Sequence, residues 1–287
     1  VALGALGVIF QVYRLGRLFS DPVPAAFAAA FCAGNFTFIV MTSMGKEDVF
    51  FWLFTILAME RSWKASTRGR LRDAVIAGVA IGLASSSKFL GVFAGLGAAL
   101  PVLKNLPRIQ IDSLRISFII AACAAVSLVV SFPFIFLDAP TVLESIRDLQ
   151  SIYSSLGPKW APGAYLLHHL PNLLGWPILI IGAAEFVRRW MKEPKGPILM
   201  SLVPVAGLLF VGLRRGFSFA YYAMPIAILL LILAVSGAAR IGNARWRIAS
   251  FALLIFFFVT GNSFFAGTLK YAILLTGPDA RLLAESA

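Results

Sequence analysis

Charge is scarce in this sequence. Asp, Glu, Lys and Arg together make up 13% of 287 residues, while 60% are hydrophobic. Soluble domains carry about 25% charged residues. So few charges cannot cover a surface that faces water, and a mean hydropathy of +0.88 fits a surface that faces lipid. Cysteine is almost absent. Cys32 and Cys123 both fall inside apolar runs, which excludes a disulfide framework or a cysteine metal site and leaves two small packing residues. No charged leader with a cleavage site marks a signal peptide. No internal repeat and no low-complexity segment are visible, and the lack of paired halves argues against a transporter. No basic stretch is interleaved with base-stacking aromatics, so the net charge of +12 does not read as nucleic-acid binding.

What is present is a series of apolar runs, at roughly 1–13, 24–42, 48–60, 74–87, 89–103, 116–137, 165–187, 197–213, 218–237 and 247–268. They predict an all-α, polytopic transmembrane bundle of about ten segments, several too short to cross a bilayer alone. Prolines 22, 24, 101, 107, 158, 162, 194 and 197 punctuate the boundaries. The chain opens within an apolar run and closes on the amphipathic TGPDARLLAESA, the pattern expected of a piece of a longer protein.

The basic residues set an orientation. One alternating path puts Arg14 and Arg17, the 61–72 cluster, Lys104, Arg108 and Arg115, the 188–195 cluster, and Arg240, Arg245 and Arg247 all on the cytoplasmic side. The path requires 74–103 to be a hairpin with SSSK, 85–88, at its tip. It makes 138–164 an outer loop, with an amphipathic stretch at 141–153 that lies along the membrane or links two spans.

The polar groups left over converge on the outer face. Glu47 and Asp48 stand where a helix begins. They serve either as an N-terminal cap or as carboxylates for a metal, a polar acceptor or base chemistry. Lys88 lies in GLASSSKFLG, 82–91, where Ser87 and its neighbours let backbone and hydroxyls approach an anion such as phosphate. A snorkelling lysine is the plain alternative. Arg214 and Arg215 lie on the side that basic residues avoid, and a second phosphate contact explains them. Tyr221 and Tyr222 either stack on a sugar or join the interfacial aromatic belt. His168 and His169 are adjacent, a poor metal pair, and fit hydrogen-bonding roles. Asn35 and Asn262 are expected to bond neighbouring helices. Asp148, Tyr153 and Trp160 flank a possible groove.

Four segments in this order resemble the GT-C polytopic glycosyltransferases, in the branch of the dolichyl-phosphate-mannose protein mannosyltransferases and aminoarabinose lipid A transferases. They are VYRLGRLFSD (12–21), GKEDVFFWLFTILAME (45–60), AGVAIGLASSSKFLGVF (77–93) and DARLLAES (279–286). The resemblance implies a transmembrane GT-C domain over 1–275 and the start of a soluble outer segment at 276–287. It implies sugar transfer, with inversion, from a polyprenyl-phosphate donor to an acceptor hydroxyl on a glycan, lipid or protein, at the outer face of the plasma (inner) membrane. Lys88 with Arg214 or Arg215 then stabilises the leaving phosphate. Asp48 with Glu47 matches a second outer acidic position. The family's main catalytic Asp belongs to a loop preceding this sequence, so the chain alone is expected to be inactive. No cofactor is assigned, and a divalent metal stays open. The alternatives are a transporter or flippase for a lipid-linked or anionic substrate, and a non-catalytic scaffold.

Overall fold

The computed structural model describes residues 1–155, 169–213 and 220–261. The apolar runs become helices, cut at their polar or glycine positions. Run 1–13 is α1 (Ala2–Gly16). Run 24–42 is two helices, α2 (Pro22–Gly34) and α3 (Phe36–Ser43). The break is Asn35, whose Oδ1 accepts from the Phe38 N–H at 3.1 Å and so caps α3. Its Nδ2 donates to the Leu173 carbonyl at 2.7 Å, the interhelical bond expected from the sequence. α4 (Asp48–Arg68) ends at Gly69, where φ is 63°, a left-handed stop that suits glycine.

α5 (Leu71–Ser87) climbs back, and the chain turns at Lys88 and returns as a 3-10 segment, Phe89–Ala99, and α6 (Leu100–Lys104). This is the expected hairpin with Lys88 at its tip. α7 (Ile111–Ser131), α8 (Phe134–Leu137) and α9 (Ala139–Ser155) follow. α9 covers the amphipathic 141–153 stretch. α10 (Leu170–Leu174) and α11 (Trp176–Lys192) are separated by Gly175. A 3-10 turn at Pro197–Ser201 leads to α12 (Leu202–Leu213), and another at Ala220–Ala223 to α13 (Met224–Ala239). α14 (Ala244–Gly261) is the last described element.

Glycine sets the closest packing. α5 carries Gly78 and Gly82 four residues apart, and α7 lies directly on them. A Cβ at Gly78 would sit 2.4 Å from the Ile120 carbonyl oxygen, so only small residues allow this approach. Cys123 lies in the same contact, and both cysteines are free, as small packing residues should be. α13 is the central pillar. Every residue from Met224 to Ser236 is buried, because α13 is apolar all round and other helices enclose it. α7 is equally apolar but lies outside, with Phe118, Val126 and Val130 exposed. Among the described residues α7 alone is long and apolar enough to cross a membrane unaided. The other apolar helices are shorter because the breaks at Asn35, Lys88 and Gly175 divide the runs that would have been spans.

The basic clusters gather at one end of the bundle. Arg14 reaches Glu60, Arg61 reaches Asp73, and Lys104 donates to the Ser66 carbonyl. Lys195 donates to the Leu106 carbonyl, and Arg189 to the Phe19 carbonyl. Contacts therefore bring members of several of these basic clusters together, among the described residues.

Candidate functional site

At the opposite end three elements converge. Gly45, at φ 70°, turns the chain out of α3 and into α4. Glu47 takes the capping position but makes no side-chain cap bond and is exposed. Asp48, in the first turn, is only 2% exposed, and its carboxylate gains from the positive end of the helix. Rather than capping, Asp48 pairs through Oδ1 with the Lys88 ammonium, 40 residues away in sequence.

Lys88 is delivered by the way α5 stops. The hydroxyls of Ser85, Ser86 and Ser87 donate back to the carbonyls of Ile81, Leu83 and Leu83, at 2.9, 3.0 and 2.7 Å. Such local bonds compete with continued helix. Lys88 is then extended, with φ −158° and ψ 139°. The Ser87 hydroxyl proton is thus directed at its own helix. The Lys88 Nζ also lies 4.7 Å from the centre of the Tyr222 ring, a cation–π contact. Tyr221 and Tyr222 share the 3-10 turn that opens α13.

Beside Tyr222 lies a small, mostly apolar cleft with about 20 Å³ of free space. Phe51 and Thr55 of α4, Leu90 and Phe93 of the 3-10 segment, and Leu208 of α12 line it. Thr55 is 3% exposed and its hydroxyl has no partner. Tyr222, which lines this cleft, is the ring beside the Lys88 ammonium. Among the described residues no three His, Cys, Asp or Glu side chains converge as a metal site.

Comparison with known proteins adds the architecture. The sequence profile of the family described as dolichyl-phosphate-mannose-protein mannosyltransferase matches residues 1–136. The fold matches crystal structures of the Archaeoglobus fulgidus oligosaccharyltransferase. The apo form aligns with a TM-score of 0.52 at 18% identity, covering 90% of this chain and 42% of that one. The complex with Zn and sulfate gives 0.51 at 18%, covering 89% and 38%. The form tethered by a disulfide to an acceptor peptide with the NVT sequon gives 0.52 at 16%, covering 92% and 42%.

The chain has a GT-C fold.

It spans about two-fifths of the length of the GT-C structures it matches. No curated protein sequence matches it.

Of the residues singled out from sequence, this GT-C bundle brings Asp48, Lys88 and Tyr222 together. Glu47 is adjacent but faces outward. Arg214 and Arg215 lie outside the described residues, as do Trp160, His168, Asn262 and 276–287. His169 is buried at the start of α10, and Asp148 is exposed on α9.

Sequence reading passed over two buried carboxylates at the other end. Glu60 is fully buried, with Arg14 at 2.9 Å, Lys64 in contact and Arg61 at 3.4 Å. Glu185 is held by Arg188 through bonds of 2.6 and 2.7 Å, by Arg189 at 2.7 Å and by Arg240 at 3.5 Å. Arg189 also donates to the Phe19 carbonyl at 2.9 Å and the Ser236 hydroxyl at 2.7 Å, joining α11 and α13 to the segment after α1. The signal was available: acid and base stand three or four residues apart on a helix in Glu60–Lys64 and Glu185–Arg188–Arg189. Thr55 carried no such signal, being one hydroxyl in an apolar run.

Proposed function

We propose that this chain is the membrane-embedded part of a glycosyltransferase that takes its sugar from a polyprenyl-phosphate donor. The observation that carries this reading is Lys88, held between Asp48 and the Tyr222 ring beside an apolar cleft. The ammonium binds the donor's phosphate, and the cleft takes the first part of the hydrocarbon tail. Arg214 and Arg215, a few residues before the Tyr221–Tyr222 turn, supply further phosphate contacts, and Tyr221 or Tyr222 stacks on the sugar.

In the reaction an acceptor hydroxyl attacks the anomeric carbon from the face opposite the phosphate. A carbon–oxygen bond to the acceptor forms as the bond to the phosphate oxygen breaks, so configuration inverts. The hydroxyl proton passes to a carboxylate base. The leaving phosphate gains negative charge as that bond breaks, and fixed cations beside it stabilise the transition state more than the bound donor. Asp48 is not assigned as the base: before the donor binds, its carboxylate pairs with Lys88. It aligns the lysine.

The basic clusters at the far end support reading that end as cytoplasmic, since Lys and Arg are retained on that side. The site then opens extracytoplasmically. A transporter reading is weaker, because its polar groups belong near the bilayer midplane between two similar halves. Here they start at the first turn of α4, at the end of the bundle.

The test uses the full-length protein in proteoliposomes with a radiolabelled polyprenyl-phosphate sugar. Lys88→Ala is expected to cut transfer by roughly a hundredfold or more at normal expression. Transfer at the wild-type rate would overturn the assignment.

A further inference from the structure

A lysine whose aromatic neighbour lines an apolar cleft has an obvious weakness. Any anionic amphiphile satisfies it, and a membrane is rich in carboxylates on hydrocarbon chains. The structure contains a counter to this. The Lys88 ammonium is already paired with a carboxylate that is 2% exposed and fixed in the first turn of α4. Opposite it, the Tyr222 ring lies 4.7 Å from the same Nζ. An incoming anion must therefore displace Asp48 or sit beside it against charge repulsion.

We propose that Asp48 is a selectivity residue: an internal carboxylate that excludes carboxylate amphiphiles from Lys88 and yields to phosphate. This deepens the reading of Lys88 as the donor-phosphate contact and rests on it. The physical reason is competition at unequal charge. A fatty carboxylate is chemically the same ligand as Asp48, and Asp48 is tethered, so its effective concentration at Lys88 is far higher. Exchange gains the carboxylate nothing. The sugar-linked donor is a diester with a single charge, whereas the polyprenyl phosphate that transfer releases is a monoester with about −1.5 to −2 charge at neutral pH and three acceptor oxygens. The monoester outcompetes a single carboxylate for the ammonium. Specificity then comes from an element that repels the wrong ligand as well as one that attracts the right one. The position of Lys88 supports this, since it is an extended residue between α5 and an 11-residue 3-10 segment. Runs of 3-10 helix that long are uncommon and often mark a place where the chain adjusts.

The experiment measures binding of two probes with the same tail, farnesyl phosphate and farnesoic acid, to the full-length protein in nanodiscs. Wild type is expected to bind the phosphate and to bind the carboxylate at least tenfold more weakly. Asp48→Asn is expected to bind farnesoic acid about tenfold more tightly than wild type does, so that the preference for phosphate shrinks. An unchanged preference in Asp48→Asn, or equal binding of the two probes by wild type, overturns the selectivity role. Lys88→Gln separates this from the parent reading. If it binds farnesyl phosphate as wild type does, the phosphate site itself is wrong. If it loses the phosphate while Asp48→Asn keeps the wild-type preference, the selectivity role alone fails. A measurement on unmutated protein guards against a variant that does not fold. Carbodiimide labelling of Asp48, mapped by mass spectrometry, is expected to rise when farnesyl phosphate is added and to stay low with farnesoic acid. Labelling that does not respond to the phosphate contradicts the displacement.

Discussion

The two ends of the bundle handle buried carboxylates in opposite ways. At the basic end, Glu60 and Glu185 are each surrounded by three cations, and the donors that remain bind backbone carbonyls and a serine hydroxyl. At the other end Asp48 pairs with Lys88, the Lys88 ammonium lies beside the Tyr222 ring, and Tyr222 lines a small apolar cleft. Several cations around one carboxylate lock helices together, whereas a pair of single opposite charges can be exchanged. The difference separates residues that hold the fold from residues that meet a substrate, although both kinds are buried ions in an apolar chain.

Substitutions can break this contrast or sharpen it. The largest expected effect on stability is at the basic end. Arg189→Met removes one of the three cations around Glu185 together with the bonds to Phe19 and Ser236, and breaking a buried ion pair costs about 3–5 kcal/mol. A thermal unfolding curve in detergent is expected to shift down accordingly, with transfer per folded molecule unchanged. Gly78→Leu comes next. Its side chain enters the α5–α7 contact where backbone lies 2.4 Å from the first carbon, and overpacking of this kind costs about 1–3 kcal/mol. The same melting measurement checks it. Tyr222→Ala acts at the other end. It removes a cation–π contact of about 0.5–2 kcal/mol, so binding of farnesyl phosphate is expected to weaken severalfold, while Tyr222→Phe stays near wild type. The smallest effect is Thr55→Val. It removes a buried hydroxyl that lacks a partner, and is expected to raise stability by about 1 kcal/mol in the absence of ligand.

Much of this architecture was legible in the sequence because its causes are local. Apolar runs predict helices, and basic clusters sort the ends because all of them obey one rule. Asn35 and Lys88 were conspicuous as polar residues in apolar surroundings, and both proved to be breakpoints with long-range partners. The pairing of Asp48 with Lys88 was not legible. Both were singled out for the same face, but which side chain meets which is decided by how α4 and α5 cross. The 3-10 form of Phe89–Ala99 was also hidden, since its composition is that of any small-residue helix. Gly91 explains part of it in retrospect. A Cβ there would lie 2.0 Å from the Ala84 carbonyl oxygen, so the returning segment is pressed against α5. The structural roles of Glu60 and Glu185 were missed because their basic neighbours were read only as markers of orientation.

The most direct test compares the two ends in one assay: sugar transfer per folded molecule for Lys88→Ala and for Arg189→Met, with folded protein quantified by size exclusion. The account predicts a loss of about a hundredfold for Lys88→Ala and a rate near wild type for the folded fraction of Arg189→Met. Equal losses in both variants, or no loss in Lys88→Ala, would contradict the division of the bundle into a holding end and a binding end.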